Sequence, residues 1–377
     1  MWKSLTNYVR HAVSRQPRGW HPMLAVYYLT YACEFRCPYC CDGSGKPYHE
    51  LRSKILRGSE LDQLLSRLRR ACDHLVITGG EPTLHPDFGE LLHMVPRHRF
   101  DSVVLTTIGH ELHGQLPAIA AAVRYLVFSL DTMDEAKGDV WLGRGPGCHR
   151  AIVANIEAAR RTPRRRFEII ISSVATPDNL DDLPVVNAFA REYGFRHAVC
   201  PVLRGVVPDP KLVTDPRYRA VFDHLIAQKR RGFAVNGSVK YLEYMRDLRP
   251  FRCRPSTLVA VSPAGEVFYP CLEKGTIAGS LLEAPDLHAL RAEGRRRHGP
   301  DPVCPNQCQS ACALGFSRRS LLSDQHADRT VLGVVGGNEQ CRDLCAAPGR
   351  GIQSRRRVQH HVPKNHLGRL GRSALRL

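Results

Sequence analysis

The residues of this chain best suited to chemistry are its cysteines, 14 in 377 positions. Four fall within residues 33–41, five stand at 253, 271, 304, 308 and 312, and two at 341 and 345. Cys72, Cys148 and Cys200 stand alone and read as small buried apolar side chains. The basic opening stretch has no apolar core like that of a signal peptide, so the expectation is a cytoplasmic protein whose grouped thiols bind metal and do not form disulfides.

The first group reads Cys33-Glu34-Phe35-Arg36-Cys37-Pro38-Tyr39-Cys40-Cys41, a C-x3-C-x2-C pattern with one cysteine added. Grouped thiolates select zinc or iron–sulfur clusters. A structural zinc ion takes four ligands, in pairs or with histidine, and adjacent cysteines share a tetrahedral ion poorly. Three bunched thiolates fit a four-iron cube whose fourth iron is left open to bind a substrate. On that reading Cys41 is a bystander.

The second group offers Cys253, Cys271, Cys304, Cys308 and Cys312. A single helix over 304–312 would hold its end cysteines about 12 Å apart, too far for one cube. Pro305 favours a loop at Cys304. Cys253, Cys271 and Cys304 are the favoured ligands, with Cys308 or Cys312 as the fourth; a zinc knuckle on the same residues is the other reading. Cys341 and Cys345 stay unassigned.

These residues need a frame. Strand patterns at Leu24–Thr30, His74–Thr78, Ser102–Thr107, Tyr125–Leu130, Phe167–Val174 and His197–Val202 alternate with helical ones. One helix carries Leu61, Leu64, Leu65 and Leu68 behind a Ser59 cap; others run over Cys148–Ala159, Leu180–Tyr193 and Asp215–Arg231. The expected fold is α/β: a partial (β/α)6 TIM-like barrel with a small C-terminal Cys-rich auxiliary domain. In parallel sheets of this kind the chemistry sits at the carboxyl ends of the strands. The expected divisions are 1–22, a basic segment; 23–232, the core barrel; 233–320, the cysteine-rich domain; and 321–377, a basic tail.

Charge narrows the partners. The formal net charge is +18, but residues 346–377 alone hold eight Lys or Arg and no Asp or Glu. Such a tail reads as a solvated extension, and no aromatic residues interleave with the basic runs as stacking platforms, which argues against nucleic acid. No apolar run is long enough for a transmembrane helix. The basic start, with Trp2, Tyr8 and Trp20, reads as a helix packed on the barrel or as a segment touching a membrane surface.

The C-x3-C-x-aromatic-C pattern, with Tyr39 as the aromatic, resembles the signature of the radical S-adenosylmethionine (radical SAM) superfamily, and Gly79-Gly80-Glu81-Pro82 after the second strand resembles its second signature. The resemblance covers roughly residues 22–202. It implies a [4Fe-4S] cluster on Cys33, Cys37 and Cys40 whose open iron chelates S-adenosylmethionine. It implies further that Gly79, Gly80 and Glu81 receive the cofactor's ammonium group and that Tyr39 lies against the adenine. Ser129 would contact the ribose, with Arg144 and Ser172 as further carboxylate and ribose contacts. Ser262 to Cys271 looks like the hairpin opening the superfamily's SPASM or twitch auxiliary-cluster domains. Its glycine-to-cysteine interval is one residue longer than usual, so a bulge is expected, and a single second [4Fe-4S] cluster fits the spacing.

The function implied is cleavage of S-adenosylmethionine and hydrogen abstraction, for oxidation or modification of a peptide or small molecule, with ferredoxin or flavodoxin as reductant. A synthase transferring an adenosyl or other group to a metabolite or lipid precursor is the second reading. A non-catalytic metal-binding or nucleic-acid-associated protein is the third.

Overall fold

The computed structural model describes residues 19–41, 45–112, 114–251 and 253–300, with the short pieces 6–7, 9–10 and 314–315. Cys304, Cys308, Cys312, Cys341, Cys345, Trp2, Tyr8 and the 321–377 tail lie outside the described residues.

Six parallel strands alternate with helices. They are β1 (Leu24–Tyr28), α1 (Gly58–Ala71), β2 (His74–Thr78), α2 (Phe88–His98), β3 (Ser102–Thr107), α3 (Leu116–Ala122), β4 (Tyr125–Ser129), α4 (Glu135–Leu142), α5 (Cys148–Arg161), β5 (Glu168–Ala175), α6 (Leu183–Glu192) and β6 (Arg196–Pro201). A small ladder, β7 (Leu203–Arg204) with β8 (Val207–Pro208), then leads into α7 (Pro210–Thr214), α8 (Pro216–Arg230) and α9 (Val239–Arg246). Three more strands, β9 (Leu258–Val261), β10 (Glu266–Tyr269) and β11 (Thr276–Ser280), precede α10 (Leu287–His298). The nine long strands form one sheet in the order β11-β10-β9-β1-β2-β3-β4-β5-β6.

The strands have two different faces because side chains alternate along them. Tyr27, Ile77, Leu105, Phe128 and Ile171 point to the helices and join the main core. The opposite face begins with Val104, Tyr125, Val127 and Ile170, packed with Val76 and Ala198 as an inner filling. Toward the carboxyl ends the same face turns polar or soft: Tyr28, Thr78, Thr106, Ser129, Ser172 and Cys200, all half-buried. The inner wall is therefore sealed at one end and open at the other.

Helix α1 buries Leu61, Leu64, Leu65 and Leu68, as its spacing predicts. Its cap differs from expectation. Ser59 lies inside the helix, and the Gly58 amide donates instead to the Asp87 carboxylate, 3.1 Å away, which also holds the Arg57 guanidinium at 2.6 Å. The helix at 183 starts three residues later than expected because Asn179 folds back to accept from the Thr176 amide at 2.8 Å, making a turn first.

The segment after residue 232 is continuous with the sheet. β9 pairs parallel with β1, Leu24 beside Leu258 and Tyr27 beside Val261, so β1 is hydrogen-bonded on both sides. The turn at Ser262–Gly265 closes the β9–β10 hairpin, its Gly265 amide donating to the Ser262 carbonyl at 2.9 Å with φ +79°. The bulge sits one strand further on: Val267 pairs with Gly279 but Phe268 with Ile277, leaving Ala278 of β11 as the extra residue. Trp20 is buried, its indole N–H donating to the Leu258 carbonyl at 2.7 Å, so it packs on the sheet and does not face a membrane. Among the described residues no helix is long and apolar enough to cross a membrane.

Candidate metal centre

The Cys33–Cys41 loop leaves the carboxyl end of β1, and the Gly79–Pro82 turn leaves the neighbouring end of β2. They are joined backbone to backbone. The Leu29 amide donates to the Thr78 carbonyl at 2.8 Å, the Gly80 amide to Thr30 at 2.7 Å and the Glu81 amide to Ala32 at 2.8 Å. A Cβ on Gly79 would fall well inside 3.0 Å of the Thr30 oxygen, and one on Gly80 would do the same at the Tyr31 and Ala32 oxygens. The glycines are thus needed for the approach of the chain to itself. The atoms that fill the space where their side chains would begin are the carbonyls just before Cys33.

Glu81 is likewise committed. It is 2% exposed. Its Oε1 accepts from the Thr83 amide at 3.2 Å, the Thr83 hydroxyl at 2.7 Å and the Thr107 hydroxyl at 2.6 Å, and its Oε2 from the Ile108 amide at 2.8 Å. Burial pushes its pKa up while these donors oppose the rise. The carboxylate ties the turn to the end of β3.

The thiols themselves are half-buried at Cys33 and Cys37 and exposed at Cys40. Burial raises all three, Cys40 to about 11; neighbouring thiols raise Cys37 and Cys40 further, while the carboxylates of Glu81 and Glu34 add to the rise at Cys33. Among the described residues, three ligand atoms of His, Cys, Asp or Glu lie within 4.8 Å of one another only at Glu34, His110 and Glu111. The three thiols are therefore spread wider than the roughly 3.8 Å between sulfurs on one tetrahedral zinc. A cube takes its ligands on separate corners, farther apart than the ligands of a single zinc ion.

The loop is braced from outside. The Arg36 amide donates to the Leu142 carbonyl at 2.9 Å, and its guanidinium reaches the carbonyls of Cys33 at 2.9 Å and Phe35 at 2.8 Å. Arg144, expected to meet a cofactor carboxylate, instead grips Glu34, the residue between Cys33 and Phe35. His110 stands 3.4 Å from the same carboxylate, and Glu111 is 3.6 Å from the guanidinium. With the cation already inside it, this acidic group is a latch and not a second metal site. Sequence reading passed over Glu34 and His110, although an acid set between two cluster cysteines was a visible signal.

Cys37, Tyr39, Ser129, Asp131, Thr132 and Trp141 line one cleft, bringing three of the expected residues together. The Tyr39 hydroxyl donates to Asp131, and its ring meets Trp141 edge-on at 6.4 Å. Asp131 also accepts from the Val174 amide at 2.7 Å, and burial pushes its pKa up to about 7. Ser172 pairs directly with Ser129 across β4 and β5 but does not line the cleft. Cys41 is half-buried and bridges to Pro47.

Of the later cysteines, Cys253 and Cys271 are described, both half-buried. One precedes β9 and the other follows β10, so the antiparallel return brings the chain back to the end of the hairpin it started from. Cys253 packs on a second core containing Phe251, Met245 and Leu314.

Comparison with known proteins agrees with this geometry. Residues 27–187 match the profile described as "Radical SAM superfamily". Mycofactocin maturase MftC of Mycolicibacterium smegmatis is 30% identical over 219 residues, 56% of this chain and 53% of that protein. A GTP 3′,8-cyclase of Erythrobacter litoralis is 35% identical over 113 residues, 29% of this chain and 33% of its own. The chain thus spans about half the length, or less, of these curated relatives. Among solved structures, Streptococcus suis SuiB bound to S-adenosylmethionine superposes with a TM-score of 0.54 at 17% identity, over 80% of this chain and 68% of that one. The AdoMet-bound anSMEcpe does so with 0.55 at 15%, over 74% and 84%. At such identities the likeness is one of fold.

Proposed function

We propose, from the match of residues 27–187 to the radical SAM superfamily profile, that this chain is an enzyme of that superfamily that modifies a peptide by hydrogen-atom abstraction, assisted by a second iron–sulfur centre. The observation that carries the reading is the junction of the two motifs, Gly80 and Glu81 hydrogen-bonded to Thr30 and Ala32 immediately before Cys33.

In this reading Cys33, Cys37 and Cys40 hold the [4Fe-4S] cluster and S-adenosylmethionine completes its coordination. When bound, the pair supplies one-electron cleavage of the sulfonium and a 5′-deoxyadenosyl radical that takes hydrogen from the substrate. The chain's own residues do the positioning. Backbone groups of Gly79–Glu81 face the ammonium, Tyr39 and Ser129 flank the adenosine, and Asp131 fixes Tyr39. Ser172, beside Ser129, is a further ribose contact. Arg144 reaches a cofactor carboxylate only by leaving Glu34, so bracing the loop is the role proposed for it. The half-buried wall of Tyr28, Thr78, Thr106 and Cys200 surrounds the substrate and keeps water from the reacting atoms.

Cys253 and Cys271, on the open end of one hairpin, are proposed as ligands of a second [4Fe-4S] cluster, with Cys304, Cys308 and Cys312 as the source of the rest. Leu314, two residues past Cys312 in sequence, is buried in the core against which Cys253 packs, which supports this grouping. A peptide is preferred to a small metabolite because the maturase likeness covers 56% of the chain and the cyclase likeness 29%. SuiB, of related fold, is also known bound to its precursor peptide SuiA. A ferredoxin or flavodoxin is the proposed reductant.

The test is anaerobic reconstitution with iron and sulfide, then reduction in the presence of S-adenosylmethionine. About eight irons per chain and release of 5′-deoxyadenosine are expected, the release vanishing in Cys37→Ala. Zinc binding without cofactor cleavage would sink the proposal.

A further inference from the structure

A cavity of about 510 Å³ opens beside the start of β1, at the other end of that strand from the Cys33 loop. Its wall includes Arg10, His21, Arg67, Arg70 and His288, against a single acid, Asp286. That carboxylate is turned back onto its own helix, accepting from the Ala289 amide at 2.8 Å to cap α10. Helix α10 therefore presents the positive end of its dipole to the cavity.

The hydrogen-bonding pattern makes this a surface of donors. The Trp20 amide donates to His288 Nδ1 at 2.9 Å, and the Arg10 guanidinium, which can only donate, lies 3.2 Å from His21 Nδ1. Each imidazole is thereby set as the tautomer that carries its proton on Nε2. The two rings meet edge-on, 4.8 Å between centroids, so they stand as one unit on the wall. Arg67 gives one N–H to the Ala284 carbonyl, while its Nε–H is buried without a partner. The remaining terminal N–H groups of Arg67 belong to the cavity wall.

We propose that this cavity is a second binding site, for an oxyanion of the phosphate class, separate from the cluster and its cofactor. Guanidinium forks, imidazole N–H groups and a helix start are the donors that suit phosphate oxygens, and a cationic ligand would find almost no acceptor there. The volume falls in the range of small-molecule sites and exceeds what one phosphate fills, so the anion is carried by a larger molecule or is a polyphosphate. Because α10 packs beside β11 in the β1 sheet, occupancy would stiffen the strand from which the cluster loop springs.

The test uses the reconstituted full chain, following its thermal midpoint against sodium pyrophosphate and, separately, AMP, with sodium chloride at matched ionic strength as control. A saturable rise in the midpoint is expected. The half-saturating concentration should increase at least tenfold in Arg10→Ser/Arg70→Ser and in His288→Gln, with S-adenosylmethionine cleavage unchanged in both. A response to pyrophosphate alone supports a free polyphosphate as ligand, and a stronger response to AMP supports a nucleotide. A rise no larger than that given by chloride, or equal affinity in both variants, overturns the site.

Discussion

The Gly80 amide donates to the Thr30 carbonyl at 2.7 Å, which fastens the turn after β2 to the three residues that lead into Cys33. Neither partner has room to retreat, because the Tyr31 and Ala32 oxygens already occupy the space where a side chain at position 80 would begin. Cluster loop and glycine turn are one object.

Gly80→Ala should therefore break both motifs at once. The expected loss is about 3 kcal/mol or more of stability, since the obstacle is backbone and cannot rotate away. Iron retained after reconstitution should fall in parallel. Gly89→Ala is the control: that glycine lies in α2 with open space at its Cβ position, and the change should stabilise by about 0.5–1 kcal/mol. Urea midpoints and iron content of the two variants check the pair.

The Glu34–Arg144 contact predicts a different phenotype. Arg144→Gln should leave the fold intact, because neither side chain belongs to the core, but free the segment between Cys33 and Cys37. Deoxyadenosine release should fall about tenfold, the cost of loosened positioning. The double variant Glu34→Gln/Arg144→Gln should be no worse than either single change. Additive losses would mean that Arg144 acts on the cofactor directly.

Acid should weaken the fold through two histidines. His197 is fully buried between Ser173 and Asn187, and burial lowers its pKa to about 3; His74, also buried, falls to about 4. Both folded values lie below the unfolded one near 6.5, so between them the unfolded chain binds more protons. Their contribution is complete above about pH 6.5 and is lost as the pH drops through that window. In His197→Gln the difference in unfolding free energy between pH 7 and pH 5 should shrink by about 2 kcal/mol. An unchanged difference in denaturant titrations would show that His197 is not held neutral.

Replacing both Cys253 and Cys271 by Ala should remove about four irons per chain and leave the signal of the S-adenosylmethionine cluster in electron paramagnetic resonance. Deoxyadenosine release should persist while substrate turnover stops. Loss of both clusters together would argue against two independent centres.

The strands of the barrel were legible because their apolar runs are short, β-branched and bounded, and β2 and β3 match the expected limits to the residue. The candidate metal ligands were legible because cysteine spacing is local. What escaped reading is what two distant segments decide together. Asp87, not Ser59, caps α1, and Arg144 reaches Glu34 across more than a hundred positions. Glu81 turns inward because Thr107 and Ile108 lie beside it in space, although nothing in Gly-Gly-Glu-Pro says which way the acid points. The pairing of β9 with β1 was hidden for the same reason, since parallel neighbours carry no turn between them to announce the contact.

That last pairing bears on how the chain can be divided. A protein ended near residue 232 would keep every residue of the first cysteine motif and still lose the strand that covers one side of β1. The bared amides and carbonyls of β1 would then be an adhesive edge, open to strands of other molecules. The cysteine-rich half cannot be trimmed away as an accessory: it is the outer wall of the strand that carries the cluster loop.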